Sequence, residues 1–464
     1  MIRAKMVDAS NAQPVLGLAI VAGTAAVAAG WAVARGGPAV AAIFLAVGAL
    51  AAIASRGPFA MLLLWMAVSP FTQGRFVNLG RNVPDLSVDR VLLILAVLLV
   101  FIQWAGRTRT LRRMPRETFL LVAFLAWALV SVLFWRPSQL IVQLGILFQQ
   151  FFLPICAYYL VVQVVRSERQ VRELLTVSLS ALIVLSLPTP LEEVTGVTVL
   201  GRAAKSVAGV VRVQSFTRAA WELGPVAGIL LALSTHCLSR HDEPMRKRVG
   251  IIAVLLGSVA IFLTFLRASW LSAIAVFLIT GVFNQRLRRW LCLVLVVAGL
   301  AVWASWPVIV RTEVWSGRVA DPTNVVARQA ILRQQLEMFL RQPVLGQGVV
   351  AEARYYHTIG EASSISHNMY MSVLLDFGLL GLLYFAAIAV ILWRSVRLYR
   401  WLPHGAFVGR ELVVALWAAV AAFAINAATI ETRLFASMNT LFWLTLALLT
   451  VVGELAAGAR TAQA

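Results

Sequence analysis

The sequence predicts an all-α fold, a polytopic transmembrane bundle of 12–14 helices with one long, partly helical loop on a single side. Three observations predict it. Of the 464 residues, 61% are hydrophobic and 13% charged, whereas a soluble domain is about half apolar and about a quarter charged. The apolar residues fall in runs close to the roughly 20 residues that a helix needs to cross a bilayer. The charge between the runs is one-sided, 40 Lys+Arg against 20 Asp+Glu, for a net +20. Helices are required because hydrocarbon offers backbone N–H and C=O groups no partner, so each span must satisfy its own.

Taken in order, the apolar runs lie at about 14–34, 37–55, 58–71, 88–106, 118–135, 140–165, 174–190, 221–238, 249–266, 269–283, 290–310, 369–393, 412–429 and 438–453. The third is short and the tenth barely long enough. The first two can also pair as a helical hairpin, so 12 and 14 spans both fit. The run from Pro14 to Ala34 is too long for a signal peptide and reads as a retained first helix.

Topology follows from the arginines. Five clusters separate spans: Arg107, Arg109, Arg112, Arg113 and Arg116; Arg166, Arg169 and Arg172; Arg240, Arg246, Lys247 and Arg248; Arg286, Arg288 and Arg289; Arg394, Arg397 and Arg400. With 14 spans all five fall on one side, which the positive-inside rule assigns to the cytoplasm together with both termini. This dispersal between apolar runs also excludes nucleic acid as the partner of the basic charge. Cys156, Cys237 and Cys292 lie in or beside apolar runs, with neither metal-ligand spacing nor a disulfide pattern.

The chain therefore divides into residues 1–310, holding the first eleven helices and a short outer loop at 191–220; a long outer loop at 311–367; and C-terminal helices at 368–464. Within the long loop Val325, Val326, Ile331, Leu332, Leu336, Phe339 and Leu340 recur at helical spacing among Arg328, Arg333, Gln334 and Glu337. That pattern predicts an amphipathic helix near the membrane interface, stopped by Pro343, Gly346 and Gly348.

The candidate chemistry is on the outer side. His367, flanked by Ser366 and Asn368, stands where a helix enters the membrane. It is either an interfacial cap or a proton acceptor for a hydroxyl near neutral pH. Arg267 sits between two closely spaced spans at the outer edge, where topology gives no reason for a cation; snorkelling is the alternative. Arg202, Lys205, Arg212 and Arg218 crowd the shorter outer loop, with Glu222 placed to pair with Arg218 on a helix. Such guanidinium groups suit an anionic lipid headgroup, because they bind phosphate oxygens in pairs and neutralise a departing diphosphate. Asp376 is a carboxylate deep in an apolar run, either facing substrate or bonded to a neighbouring helix. The acidic residues of the outer loops are scattered, with no Asp-x-Asp and no tight His/carboxylate group, so no metal and no cofactor are expected.

These residues carry a resemblance. His367-Asn368, nine residues, then Gly378-Leu379-Leu380-Gly381 resembles the His-(Asn/Ser/Gln)-x9-Gly-x-x-Gly signature of bacterial O-antigen ligases. Arg267-Ala-Ser-Trp-Leu271 resembles their Arg-x3-Leu motif. The stretch from Arg328 to Gly348, ending Pro343-Val-Leu-Gly346-Gln-Gly348, is similar to their outer-loop helix and its close. The resemblance covers the second half of the chain. It implies a GT-C-like helical glycosyltransferase of the bacterial inner membrane with its active site facing the periplasm. The donor it implies is an undecaprenyl-diphosphate-linked glycan and the acceptor lipid A–core or a growing glycan, in a membrane-lipid setting without metal. His367 and Arg267 would be catalytic, and Arg202, Arg212, Arg218, Asn368 and Asp376 would bind substrate. O-antigen ligation in lipopolysaccharide biosynthesis is the first expectation and repeat-unit polymerisation the second. A lipid-linked sugar transporter is the rival from another class, though the chain shows no evident internal repeat.

Overall fold

The computed structural model describes residues 53, 56–72, 76–77, 86–135, 140–199, 206–207, 210–217, 219–239, 243–285, 287–289, 296, 300, 303–304, 323–349 and 368–461. The expected spans at 14–34, 37–55 and 290–310 lie wholly or almost wholly outside these residues, as do His357, His367, Arg202, Lys205 and Arg218.

The described chain is a helix bundle. It begins with α1 (Pro58–Thr72), α2 (Val88–Ala105), α3 (Glu117–Trp135), α4 (Leu140–Val164), α5 (Glu168–Ser186) and the short α6 (Thr189–Thr195). There follow α7 (Ala220–Leu238), α8 (Pro244–Leu263), α9 (Arg267–Phe283), α10 (Thr323–Arg341), α11 (Met369–Phe377), α12 (Leu382–Tyr399), α13 (Arg410–Ala427) and α14 (Ala436–Thr461). Two antiparallel pairs of two-residue strands, Phe76–Val77 with Leu86–Ser87 and Ser206–Val207 with Val210–Val211, close turns between helices. Among the described residues eight helical stretches are long and apolar enough to cross a membrane, and α1 and α9 are shorter apolar helices. The surface agrees: Phe119 is 78% exposed, Phe134 75% and Ile102 65%. Apolar side chains this bare are unfavourable in water but at home in lipid. The protein is a multi-pass membrane protein.

Several helix boundaries depart from the apolar runs for local reasons. The span expected at 174–190 begins earlier, at Glu168, because the Ser167 side chain accepts a hydrogen bond from the Gln170 N–H and caps α5. Arg169 and Arg172 thus lie on a helix and not in a loop. The outer loop expected at 191–220 is partly ordered by α6 and by the strand pair at 206–211. Within α4, residues Phe148–Phe152 form a wider π turn just before Pro154. Proline cannot bond back to the Gln150 carbonyl. Asn439 of α14 does so instead, donating from Nδ2 at 2.7 Å.

Close helix approach rests on small residues, as is usual where lipid gives no hydrophobic drive between helices. A Cβ on Gly224 of α7 would lie 2.3 Å from the Ser269 hydroxyl of α9, and one on Gly228 would lie 3.2 Å from that of Ser272. The centre is aromatic. Phe124, Phe151, Phe377 and Tyr384 pack edge-on or tilted with centroids 5.2–5.7 Å apart, and Tyr384 meets Trp443 at 5.4 Å.

Ion pairs gather the basic clusters at one end of the bundle. Arg112 meets Glu454 and Arg394 meets Glu117; Arg172 bridges Glu168 and Glu243, which also holds Arg246. Arg166 donates to the Thr110 carbonyl. Phe283, at the close of α9, packs on Tyr399 at the close of α12. The opposite, outer end carries α10 and the starts of α9 and α11.

Candidate active site at the outer end

Two sequence motifs far apart in the chain meet across the last turn of α13. On one side Ser269, two residues after Arg267, donates to Asn426 Oδ1 at 3.2 Å. On the other, Tyr370, three residues after His367, donates to the Ala424 carbonyl at 2.9 Å. Ser269 and Asn426 are fully buried, so this contact is shielded from water and strengthened by it. Arg267 itself opens α9 and is exposed. Its position at a helix N-terminus adds partial positive charge where an anion would sit.

Asn368 is the N-cap of α11. Its Oδ1 accepts from the Tyr370 and Met371 amides at 3.0 and 3.2 Å, and its carbonyl accepts from the Ser372 hydroxyl. This explains an asparagine directly after the signature histidine: it fixes the direction in which the chain enters the membrane. Its side-chain oxygen is therefore engaged with the helix it starts.

The remaining signature glycines form one docking joint. Gly346 and Gly378 both have positive φ, +72° and +64°. A Cβ on Gly346 would lie 2.4 Å from the Gly378 nitrogen, and a Cβ on Gly378 would lie 2.2 Å from the Val344 carbonyl oxygen. No side chain fits either position. The two backbones lock together through Gln347 N–H to the Leu375 carbonyl at 2.7 Å, Gly348 N–H to Asp376 at 2.9 Å and Leu379 N–H to Pro343 at 2.7 Å. The turn that ends α10 is thereby strapped to the break between α11 and α12. Met338 of α10 adds an apolar contact on Met371 and Leu375. The loop helix predicted from its periodicity is present over Thr323–Arg341, and this joint anchors its end.

Beneath the joint lies a buried charged group. Asp376 accepts from Arg433 at 2.8 Å, and Arg433 also donates to Glu431 at 2.7 and 3.2 Å. The Arg433 and Asp376 side chains are 5% and 4% exposed. Burial by itself would lower the Arg433 pKa; the charges of Glu431 and Asp376 outweigh it and hold the guanidinium above its usual value. Arg433 also lies over the Phe151 ring, 5.3 Å from its centroid. Of the two readings open for Asp376, the structure shows the contact with a neighbouring segment.

The outer cations behave otherwise. Arg267 and Arg328 are exposed and make no hydrogen bond or ion pair with a described residue, yet they stand within electrostatic reach of one another. The Arg328 pKa is lowered, first by the partial covering of its guanidinium and then by the Arg267 charge. Two repelling guanidinium groups are stabilised by an anion between them. Arg212, half-buried, has its Nε buried without a partner among the described residues. The backbone around it is held by Glu192, which accepts from the Val199, Gln214 and Ser215 amides at 2.8–3.0 Å.

The residues predicted from sequence thus separate. Arg267 and Asn368 each stand two residues from a side chain that bonds the last turn of α13; Asp376 lies in a buried ion pair; Arg212 lies in the shorter loop. His367, Arg202 and Arg218 fall outside the described residues. Sequence reasoning passed over Arg328 as a site residue, taking it as the polar face of a helix, and did not single out Arg433. The signal for Arg433 was available: like Arg267, it is an arginine at the outer end of a span, where topology gives no reason for one.

Comparison with known proteins now bears on this arrangement. Residues 252–386 match the O-antigen ligase family. Over that segment the chain is similar to O-antigen ligases. The match runs from α8 through the start of α12 and so includes Arg267, Arg328, the glycine joint, Asn368 and Asp376. It supports a glycan-transferring O-antigen ligase or polymerase set in the membrane among lipid-linked glycans. No curated protein matches the chain significantly.

Proposed function

We propose that this O-antigen ligase-family protein moves a glycan from undecaprenyl diphosphate to a sugar hydroxyl at the outer, periplasmic face of the bacterial inner membrane, without a metal ion. Lipid A–core is the acceptor we favour. The observation that carries the reading is that the Arg267 and Asn368 segments both bond the last turn of α13; the Arg267 charge reaches Arg328, and an anion would offset the two.

In the proposed reaction the acceptor hydroxyl oxygen attacks the anomeric carbon as the bond from that carbon to the diphosphate oxygen breaks. His367 takes the hydroxyl proton, the anomeric centre inverts, and undecaprenyl diphosphate leaves with the bonding electrons. Arg267, with Arg328 and with Arg212, Arg218 or Arg202 from the shorter loop, neutralises the charge growing on the leaving group. Asn368 orients the segment that carries His367, and Asp376 with Arg433 supports the helix break below it.

The test is transfer by the purified full-length protein between a lipid-linked glycan and lipid A–core in detergent. His367→Ala and Arg267→Ala should each lower the rate by about 10²-fold or more at unchanged thermal stability, and a chelator should have no effect. Full activity in His367→Ala, or an absolute need for a divalent ion, overturns the mechanism. Lengthening of free glycan with no transfer to lipid A–core would assign the protein to polymerisation.

A further inference from the structure

A cavity of about 530 Å³ opens at the basic end, between the start of α1, the close of α2 with its following loop, and the close of α4. Arg56, Arg107, Arg109 and Arg166 line it with Gln103 and Gln170, and no carboxylate is among its lining residues. Positive-inside bias explains arginines at this end. It does not explain four of them converging on one concavity without an acid, when Arg112, Arg172, Arg246 and Arg394 nearby each have one.

Two of the four, Arg109 and Arg166, are held in place by backbone and amide groups. Arg109 donates to the Gln163 carbonyl at 2.7 Å, while its Nε is buried without a partner among the described residues. Arg166 donates to Gln163 and Thr110 carbonyls. Arg107 takes a left-handed φ of +55°, rare for a residue with a side chain. Neither the Arg107 nor the Arg56 side chain has a partner among the described residues. The crowding has an electrostatic consequence: burial first, then Arg166 and Arg112, lowers the Arg109 pKa, and burial with Arg112 lowers that of Arg166. Arginine does not shed its proton under ordinary conditions, so the repulsion is relieved by an anion.

We infer that this cavity binds the phosphate of an anionic phospholipid from the leaflet at the basic end. Its volume is that of a small-ligand site, and basic pockets between helices on the cytoplasmic side suit anionic headgroups. The neighbouring face of α2 favours a lipid over a ligand from water. Phe101, Ile102 and Trp104 are 52%, 65% and 51% exposed beside the mouth, where acyl chains would lie and where an interfacial tryptophan is expected. The site is at the opposite end from the glycan-transfer site and does not rest on that reading.

The experiment uses the full-length protein in a neutral detergent. Thermal stability and lipid retention in native mass spectrometry are followed as phosphatidylglycerol, phosphatidylcholine or inorganic pyrophosphate is added. Phosphatidylglycerol should bind at least tenfold more tightly than phosphatidylcholine. The Arg56→Gln/Arg107→Gln double variant, which removes no contact with the protein, should abolish that preference, whereas Arg113→Gln, an exposed arginine outside the cavity, should keep it. Stabilisation by pyrophosphate alone keeps the anion site but assigns its ligand to water. Equal binding of both lipids with no effect of pyrophosphate overturns the proposal, as does an equal loss in Arg113→Gln, which would mean a diffuse positive surface.

Discussion

At the basic end Arg112, Arg172, Arg246 and Arg394 each meet a carboxylate from another turn or helix, whereas at the outer end Arg267 and Arg328 feel one another's charge and have no carboxylate partner among the described residues. The paired arginines join α3 to α12, α5 to the start of α8, and the loop after α2 to α14, so their charge goes into holding loops to helices. The unpaired ones leave a field with nothing in the described protein to satisfy it. Position alone does not decide which is which. Arg433 is at the outer end and fully paired, and the four cavity arginines are at the basic end and have no acid. What separates a structural arginine from a ligand-binding one is whether the fold brings a carboxylate to it.

The sharpest way to break this comparison is to remove a paired arginine from its burial. Arg433→Met leaves Asp376 and Glu431 buried without their counter-charge, and should cost about 3–5 kcal/mol of stability in a denaturation titration of the solubilised protein. Arg433→Met combined with Asp376→Asn and Glu431→Gln should cost less, because no bare charge remains. An unchanged midpoint for the single variant would mean that the group does not hold the outer end together.

The glycine joint should respond next. Gly378→Ala or Gly346→Ala forces a Cβ into backbone at a positive φ, for about 1–3 kcal/mol each, with loss of transfer as the strap on α10 slips. Because both changes break the same contact, the double variant should cost clearly less than the sum. Strict additivity would show that the two turns do not support each other.

The smallest effect is expected at an unpaired arginine. Arg328→Gln should raise the KM for a lipid-diphosphate donor about tenfold, worth about 1.4 kcal/mol, with thermal stability unchanged or slightly increased because its repulsion with Arg267 is gone. A loss of stability with KM unchanged would place Arg328 among the structural arginines instead.

Much of the bundle was legible in advance because a membrane span is a local property. Hydropathy marked α1, α2, α3, α4, α7, α9 and α13 within a few residues, and the periodicity from Val325 to Leu340 marked α10; it read α11 and α12 as one run at 369–393, and ended α14 at 453 where the helix runs to Thr461. Misplaced boundaries came from interactions that hydropathy does not weigh: the Ser167 cap that draws Arg169 and Arg172 into α5, and the ordering of the shorter loop by Glu192. At the site, Arg267 and Asp376 could be singled out because each sits where neither lipid nor topology gives it a reason to be.

By itself, then, the sequence determined the membrane class, the side on which the basic clusters gather, the loop helix, and the motifs that resemble O-antigen ligases. These depend on composition, on period and on residues close together in the chain. Only the tertiary structure decided that Asn426 and Ala424 of α13 join the Arg267 and Asn368 segments, that Gly346 needs Gly378, that Asp376 belongs to Arg433, and that Arg328 comes within reach of the Arg267 charge. Each of these relations links residues tens to more than a hundred positions apart. A charge in a sequence carries no mark of its partner; distance and burial, which set the strength of the interaction, exist only once the helices have packed.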